Sequence, residues 1–365
     1  MAIRIGIVGM GGIGNTHARC YTNNPNAEVV AVCDLVKEKA DEAAAKYNAR
    51  AFYNIKDMLA SDIGLDVVDV TTSGFENGSW HYEPAMQAMQ AGFNVFVEKP
   101  ISNDVREARE MVEYAYKHDL YLACNLNHYF TEPADRAKQL IADGKIGQPV
   151  YLLQKMGFNG SEMTYGGPGS PRWHRPYAHV KAFLAHPFSI MRYFGGEITH
   201  IQAFLDRPGV RKSADDLMLS VASINMRFEN GSVGYIISQR GDANFGLGGW
   251  WCFEMAGTKG TFCIENCVEK LSYWPGGTAD SQGSGEPEVF NTGVTDFSTT
   301  FQNRLDAFIE DLTNKVPKEH LRSSGRDALA TLEYTFAVIK SYEEGGATVR
   351  PEPLPNFHGS VGYIW

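Results

Sequence analysis

Ile3-Arg4-Ile5-Gly6-Ile7-Val8-Gly9-Met10-Gly11-Gly12-Ile13-Gly14 opens the chain and decides how the rest is read. Residues 3–8 are a short run rich in Ile and Val. Glycines stand at 9, 11, 12 and 14, and a helical stretch follows from Asn15 to Asn23. Strand, glycine turn and helix in that order are the context in which Gly9-x-Gly11-x-x-Gly14 reads as a pyrophosphate fingerprint. Gly9 makes the tight turn, Gly11 lets the backbone approach phosphate, and Gly14 lets helix and strand pack closely. Gly12 and Ile13 complete the loop. The helix N-terminus adds free N–H groups and the positive end of a dipole.

A second strand, Glu28-Val29-Val30-Ala31-Val32-Cys33, ends in Asp34. An acid about 20 residues after the last glycine accepts hydrogen bonds from the adenine ribose hydroxyls and repels a 2′-phosphate, so Asp34 argues for NAD over NADP. The competing reading makes Asp34 the cap of a helix starting at Leu35. The alternation continues with strands at 66–71, 94–97 and 121–124 and helices at 82–91 and 105–117. That spacing predicts a doubly wound parallel sheet of Rossmann type over residues 1–125. Ligands of such sheets bind beyond the carboxyl ends of the strands, which puts Thr71, Thr72, Ser73, Glu98, Lys99, Asn125 and Asn127 at the mouth.

The length of 365 residues exceeds the roughly 250–300 at which one core stops growing, so two domains are expected. From Pro149 the pattern changes to period two. Runs at 199–205, 217–228, 232–238, 250–256 and 260–264 are joined by short turns such as Glu229-Asn230-Gly231. They predict a mostly antiparallel open sheet in a second domain, 126–365. One helix over 180–194 precedes the sheet, residues 275–297 form a long loop, and helices follow at 298–315 and 325–344. The fold class is therefore α/β followed by α+β. The tail from Arg350, ending in Tyr363-Ile364-Trp365, reads as an arm over a neighbouring subunit or as intrachain packing.

Lys plus Arg number 33 and Asp plus Glu 43, a net charge of −10, which argues against a nucleic-acid partner. No apolar run approaches the roughly 20 residues of a membrane span, and the opening residues do not read as a signal peptide. A cytoplasmic protein without membrane attachment is expected. The six cysteines form no Cys-x-x-Cys pair and read as buried reduced thiols. No zinc spacing supports a metal at Cys263 or Cys267.

Glu98-Lys99-Pro100 directly follows the strand 94–97. Together with Gly9-x-Gly11-x-x-Gly14 and the antiparallel second half, it resembles the glucose–fructose oxidoreductase / inositol dehydrogenase (Gfo/Idh/MocA) family. The resemblance spans nearly the whole chain. Val67-Val68-Asp69-Val70-Thr71-Thr72, His81, Ala91-Gly92-Phe93-Asn94-Val95 and Glu98-Lys99-Pro100 make an ordered series, and 137–147 looks like the family's helix and turn into the second domain.

The resemblance implies hydride transfer between a nicotinamide and a secondary carbon of a sugar, cyclitol or related polyol. It gives the cofactor Gly9, Gly11, Gly12, Ile13, Gly14, Asp34, Thr72, Ser73, His81, Glu98 and Lys99. It also implies that Lys99 hydrogen-bonds the reacting oxygen, where an ammonium stabilises developing alkoxide charge. The competing reading of Lys99 is a solvated lysine beside a helix. Pro100 follows a cis bond in the family.

The family carries an acid and, one turn later, a histidine that accepts the proton. By resemblance His186 is that histidine, and the acid position is Ala182, so the acid is lost here. A later acid of the pattern is Ser189. His179, two turns before His186, reads either as a substrate or proton-relay group or as a satisfied structural histidine. The stretch 157–175 combines glycines with Phe, Tyr, Trp and two arginines. Tyr165, Arg172 and Trp173, with Asn127, are its candidate sugar contacts, against the plain alternative of a glycine-rich surface loop.

The reading is an NAD-dependent dehydrogenase of a pyranose or glycoside hydroxyl, with carbon 3 of a glucosyl group as its specific form. The rivals are a cyclitol dehydrogenase, an oxidation–elimination enzyme that retains its NAD, and a non-enzymatic NAD or sugar sensor. The outer face of the antiparallel sheet predicts a homo-oligomer.

Overall fold

The computed structural model describes residues 2–73, 80–158, 175–207, 217–241, 243–244, 246, 248–276 and 285–356. Two compact units emerge, one holding residues up to Asn127 together with Phe301–Leu332, the other His128–Thr300 and Glu333–Glu352.

In the first unit β1 (Ile3–Val8), α1 (Gly12–Asn23), β2 (Ala27–Cys33), α2 (Lys37–Tyr47), β3 (Arg50–Phe52) and α3 (Ile55–Leu59) alternate along the chain. They are followed by β4 (Val67–Val70), α4 (Tyr82–Gln90), β5 (Asn94–Val97), α5 (Val105–Lys117) and β6 (Leu122–Cys124). The six strands pair in the order β3-β2-β1-β4-β5-β6, all parallel, as the alternation predicts. β2 and β3 lie on one side of β1 and β4 to β6 on the other, so the β1/β4 gap is the switch point where open sheets of this kind take ligands. Side-chain caps start α3 and α5: Asn54 accepts from the Asp57 amide at α3, and Asp104 from the Arg106 amide at α5. α1 begins at Gly12, before the Asn15 that sequence suggests, because glycine's low helix propensity masks its start. β3 and α3 have three and five residues, too few to show a periodic signal.

The second unit contains α6 (Glu132–Ala142), β7 (Pro149–Phe158), α7 (Ala178–Phe183), α8 (Ala185–Gly195), β8 (Ile198–Asp206), β9 (Val221–Phe228) and β10 (Val233–Arg240). β11 (Trp251–Gly257), β12 (Gly260–Glu265), β13 (Lys270–Pro275) and β14 (Glu288–Asn291) complete it. The sheet has eight strands in the order β14-β13-β12-β11-β7-β10-β9-β8, antiparallel except for the parallel pair β7–β10. The β9–β10 hairpin turns at Asn230-Gly231 as expected, with Gly231 at φ +90° and Asn230 Oδ1 accepting from the Ser232 amide.

Three features differ from the sequence reading. The helix expected over 180–194 is two helices, α7 and α8. Pro187 has no amide to give the Phe183 carbonyl, and the ladder resumes only with Phe188 N–H donating to Leu184 O at 3.0 Å. The stretch 275–297 is not wholly loop: β14 adds an edge strand to β13, too short and too exposed to show alternation. Finally, the region 126–365 does not all fold together.

α9 (Thr299–Thr313) and α10 (Gly325–Glu343) follow β14, and Phe301–Leu332 belong to the first unit. Leu305, Phe308 and Ile309 join Ile5, Ile7 and Phe96 in one apolar core. Arg304, fully buried, donates from Nε to the Cys124 carbonyl at 3.1 Å and lies over the Phe96 ring at 4.9 Å. The spacing 301, 305, 308, 309, 312 announces a buried helix face, but periodicity does not say which sheet that face covers.

Residues 353–356 of the C-terminal tail belong to the first unit, with Arg109 donating to Pro353 O and Arg326 to Pro355 O. The terminal aromatics invoked for an arm lie outside the described residues. All six cysteines are free thiols. Among the described residues no helix is long and apolar enough to cross a membrane, and no His/Cys/Asp/Glu group is arranged to hold a metal.

Candidate active site

The glycine loop is built as its sequence demands. Gly9 has φ +99°, and a Cβ there would meet the Thr72 amide at 2.8 Å. A Cβ on Gly14 would sit 2.0 Å from the Gly9 carbonyl oxygen. Both positions need glycine for opposite reasons, backbone conformation at one and close packing at the other. A Cβ on Gly11 or Gly12 would meet nothing within 4 Å, so the loop has open space on its outer side. Thr71 Oγ1 donates to Gly9 O at 2.7 Å and ties the loop to the end of β4. α1 has no side-chain cap and no acid in its first turn. Its free N–H groups and the open glycine surface fit a pyrophosphate. Ile13 is exposed beside them.

Asp34 holds this loop from the other side. Its Oδ2 accepts from the Met10 amide at 2.8 Å and its Oδ1 from the Val36 amide at 2.8 Å. α2 starts at Lys37 rather than Leu35, so Asp34 is not its cap. Each carboxylate oxygen has a second lone pair with which to accept from a ribose hydroxyl.

Lys99 follows β5 in a turn anchored from beneath. Glu98 is buried, and its Oε2 accepts from the Lys99 amide at 3.0 Å. Glu98 Oε1 takes His17 Nε2 at 3.2 Å and the Asn125 amide group, and His17 Nδ1 meets Asp69 Oδ2 at 2.8 Å. Burial disfavours the His17 imidazolium, yet Asp69 and Glu98 outweigh it and raise the pKa to about 10. Burial likewise disfavours the Glu98 carboxylate, and His17, Lys99 and Asn125 hold its pKa below the ordinary value. The Lys99–Pro100 peptide is cis, as the resemblance implies.

His81 spans two loop ends. Its Nδ1 meets the Pro100 carbonyl at 2.7 Å and its Nε2 the Thr72 carbonyl at 2.9 Å. Burial lowers its pKa, so the neutral ring donates to one carbonyl only. Glu98 and His81, expected as cofactor contacts, also brace this turn. Thr72 Oγ1 donates to Trp80 O at 2.6 Å, and Ser73 is exposed.

In the second unit His186 sits in the first turn of α8 and His179 in α7, both buried. His179 stacks on Phe183 at 5.3 Å and meets Ser238 Oγ at 3.0 Å. Phe183 also meets His186 edge-on at 6.1 Å, so one ring touches both histidines. Ser189 Oγ donates to the His186 carbonyl at 2.7 Å. Lys181 lies over Phe336, at 5.4 Å. His128 stacks on His186, centroids 3.7 Å apart. Sequence reasoning named its neighbour Asn127, which is buried, and missed His128. The only signal was a histidine within the aromatic run Asn127-His128-Tyr129-Phe130. His17 was missed too, because a buried charged network has no sequence period. Tyr165, Arg172 and Trp173 lie outside the described residues.

Comparisons with known proteins agree with this geometry. Residues 3–126 match the model of the GFO_IDH_MocA oxidoreductase family, NAD-binding Rossmann fold, and residues 134–263 match the GFO/IDH/MocA C-terminal domain. The chain is 25% identical over 354 residues to the myo-inositol 2-dehydrogenase of Thermotoga maritima, covering 94% of this chain and 97% of that protein. It is 29% identical over 178 residues to the D-glucoside 3-dehydrogenase of Escherichia coli K12, covering 46% of this chain and 49% of that protein. A crystal structure of an NAD-binding oxidoreductase from Klebsiella pneumoniae superimposes with a TM-score of 0.83 at 21% identity, covering 97% of this chain and 100% of that one. The glycine loop, the Glu98-Lys99-Pro100 turn and the antiparallel second sheet are those of the Gfo/Idh/MocA family of NAD-binding oxidoreductases, to which this chain belongs.

Proposed function

We propose that the protein oxidises a ring hydroxyl of a pyranose sugar or glycoside, at carbon 3 of a glucosyl group in its most specific form. The observation that carries the reading is the anchoring of Lys99. A buried network of one imidazolium and two carboxylates holds the turn that presents an ammonium beyond β5. Such a donor stabilises an oxygen that gains negative charge. Lys99 hydrogen-bonds the reacting hydroxyl and stabilises it as the proton leaves. His186 takes that proton. Asn127, His179, Tyr165, Arg172 and Trp173 bind the sugar. NAD, when bound, supplies the hydride acceptor, and Gly9 to Gly14, Asp34, Thr72 and Ser73 hold it. The glucoside reading is supported by the relative named D-glucoside 3-dehydrogenase.

The relative named myo-inositol 2-dehydrogenase, matched over 94% of this chain, favours a cyclitol as the second reading. An absorbance assay for NADH with free sugars, inositols and aryl glucosides separates the two. NADH with glucosides alone supports the first reading, and NADH with inositols alone overturns it. Cleaved sugar without net NADH points instead to oxidation–elimination with retained NAD. Absence of both, with biological effect intact after Lys99→Ala, points to a sensor.

Two further results are expected. Asp34→Asn weakens a charge-assisted contact, so kcat/KM with NAD falls about ten-fold or more and the preference over NADP narrows. Kinetics with both cofactors check this, and an unchanged NAD/NADP ratio removes Asp34 from cofactor selection.

We also propose that the outer face of the eight-stranded sheet meets a second copy. Register places Tyr151 and Leu153 of β7 on one face with Val233 of β10, and all three are exposed. Lysine at Leu153 and Val233 together is expected to dissociate the assembly in light scattering, while an unchanged mass moves the interface elsewhere.

A further inference from the structure

His128 lies on His186 with ring centroids 3.7 Å apart and planes 10° from parallel. Both side chains are buried, at 4% and 7% exposure. Two cationic rings stacked so closely and away from water repel, so the pair carries at most one positive charge. Trp251 decides which ring can carry it. Its indole N–H is a donor and nothing else, and it donates to His128 Nδ1 at 3.2 Å. A proton on Nδ1 would set donor against donor. Nδ1 therefore stays an acceptor, and His128 stays neutral with its hydrogen on Nε2.

The same ring is held at its sides. Phe297 meets it at 5.0 Å and 83°, and Trp250 at 6.4 Å and 84°. The Cys267 thiol donates to the His128 carbonyl at 3.3 Å. His128 is thus a fixed, uncharged aromatic plate against one face of His186.

We propose that His128 is the positioning residue for His186 and does the work for which the helix has no carboxylate at Ala182. The stack sets the plane of the His186 ring. The neutral π face of His128 supports the imidazolium that forms when His186 accepts the hydroxyl proton. The inference rests on the reading of His186 as proton acceptor. Among the described residues, titratable or charged groups about the pair include His179 of α7 and Arg240 of β10, both against the Phe183 ring, and the Cys267 thiol.

Two variants separate the ring from its acceptor nitrogen. His128→Asn offers an oxygen where Nδ1 stood and removes the stack. His128→Phe keeps an aromatic plate and removes the acceptor. The first readout is an NMR titration of the His186 imidazole, which needs no substrate. The second is kcat and KM. With His128→Asn the His186 midpoint is expected to fall by about half a pH unit, the loss of one cation–π contact. Its kcat falls about ten-fold, with KM and NAD affinity within about three-fold. His128→Phe stays near the wild-type protein on both readouts.

A His128→Asn protein that titrates and turns over normally overturns the proposal, and so does a His128→Phe protein that falls alongside it. Should His128→Asn not fold, the His128→Phe titration decides, an unshifted midpoint supporting the stack and a shifted one overturning it. If the wild-type protein oxidises no sugar or cyclitol, the functional reading fails while the titrations still decide the stack.

Discussion

Lys99→Met is expected to lower kcat by about 10²–10³-fold or more while NAD still binds. Methionine matches the length of the lysine stem and removes only the ammonium. A single donor aimed at a developing oxyanion contributes about that factor when water is excluded. The glycine loop and Asp34 do not depend on the Lys99 side chain, because the loop is held by Thr71 and by the Asp34–Met10 contact. Cofactor affinity should therefore stay within about three-fold, a change too small for an interaction lost from the ground state. Steady-state NADH formation and nicotinamide fluorescence on titration with NADH measure the two quantities. Full turnover by Lys99→Met would remove Lys99 from the chemistry, whereas loss of NAD binding together with turnover would make it a cofactor contact.

The second large effect is on stability. His17→Gln is expected to destabilise the first unit by about 3–5 kcal/mol, because it leaves the buried carboxylates of Asp69 and Glu98 without the cation between them. The pH dependence has a definite sign. The folded pKa of His17 is raised from 6.5 to about 10, so its contribution is complete below pH 6.5, declines as pH rises and is lost through pH 10. Glu98 works in the other direction. Its folded pKa lies below 4.5, so its contribution is present above that value and lost as pH falls through the lowered folded value. The stability difference between the wild-type protein and His17→Gln should therefore be largest near pH 6 and should shrink toward pH 10. Urea unfolding at several pH values measures it. A difference that grows with pH would mean that His17 is neutral in the folded protein.

The legible parts of this protein are those governed by local repeats. Gly9, Gly11 and Gly14 announced a phosphate-binding turn because each answers a separate backbone constraint within a few residues. Asn230-Gly231 announced its hairpin for the same reason. Pro187 lay in plain view, yet the helix break it causes was missed because the apolar pattern runs on through Phe188, Ile190 and Met191. The site was legible where a motif is contiguous, at Glu98-Lys99-Pro100. It was not legible where partners come from distant segments, as with His17, Asp69 and Glu98, or His128, His186 and Trp251.

Sequence by itself determined the parallel first sheet, the mostly antiparallel second one and the family, since side-chain periodicity and glycine spacing are properties of the chain read in order. Tertiary structure alone decided that α9 returns to the first core, that Glu98 and His81 brace the turn at Lys99, and that His128 lies on His186. Those are choices among packing partners far apart in sequence. They are settled by which apolar faces and buried charges can satisfy one another in space, and nothing local encodes that.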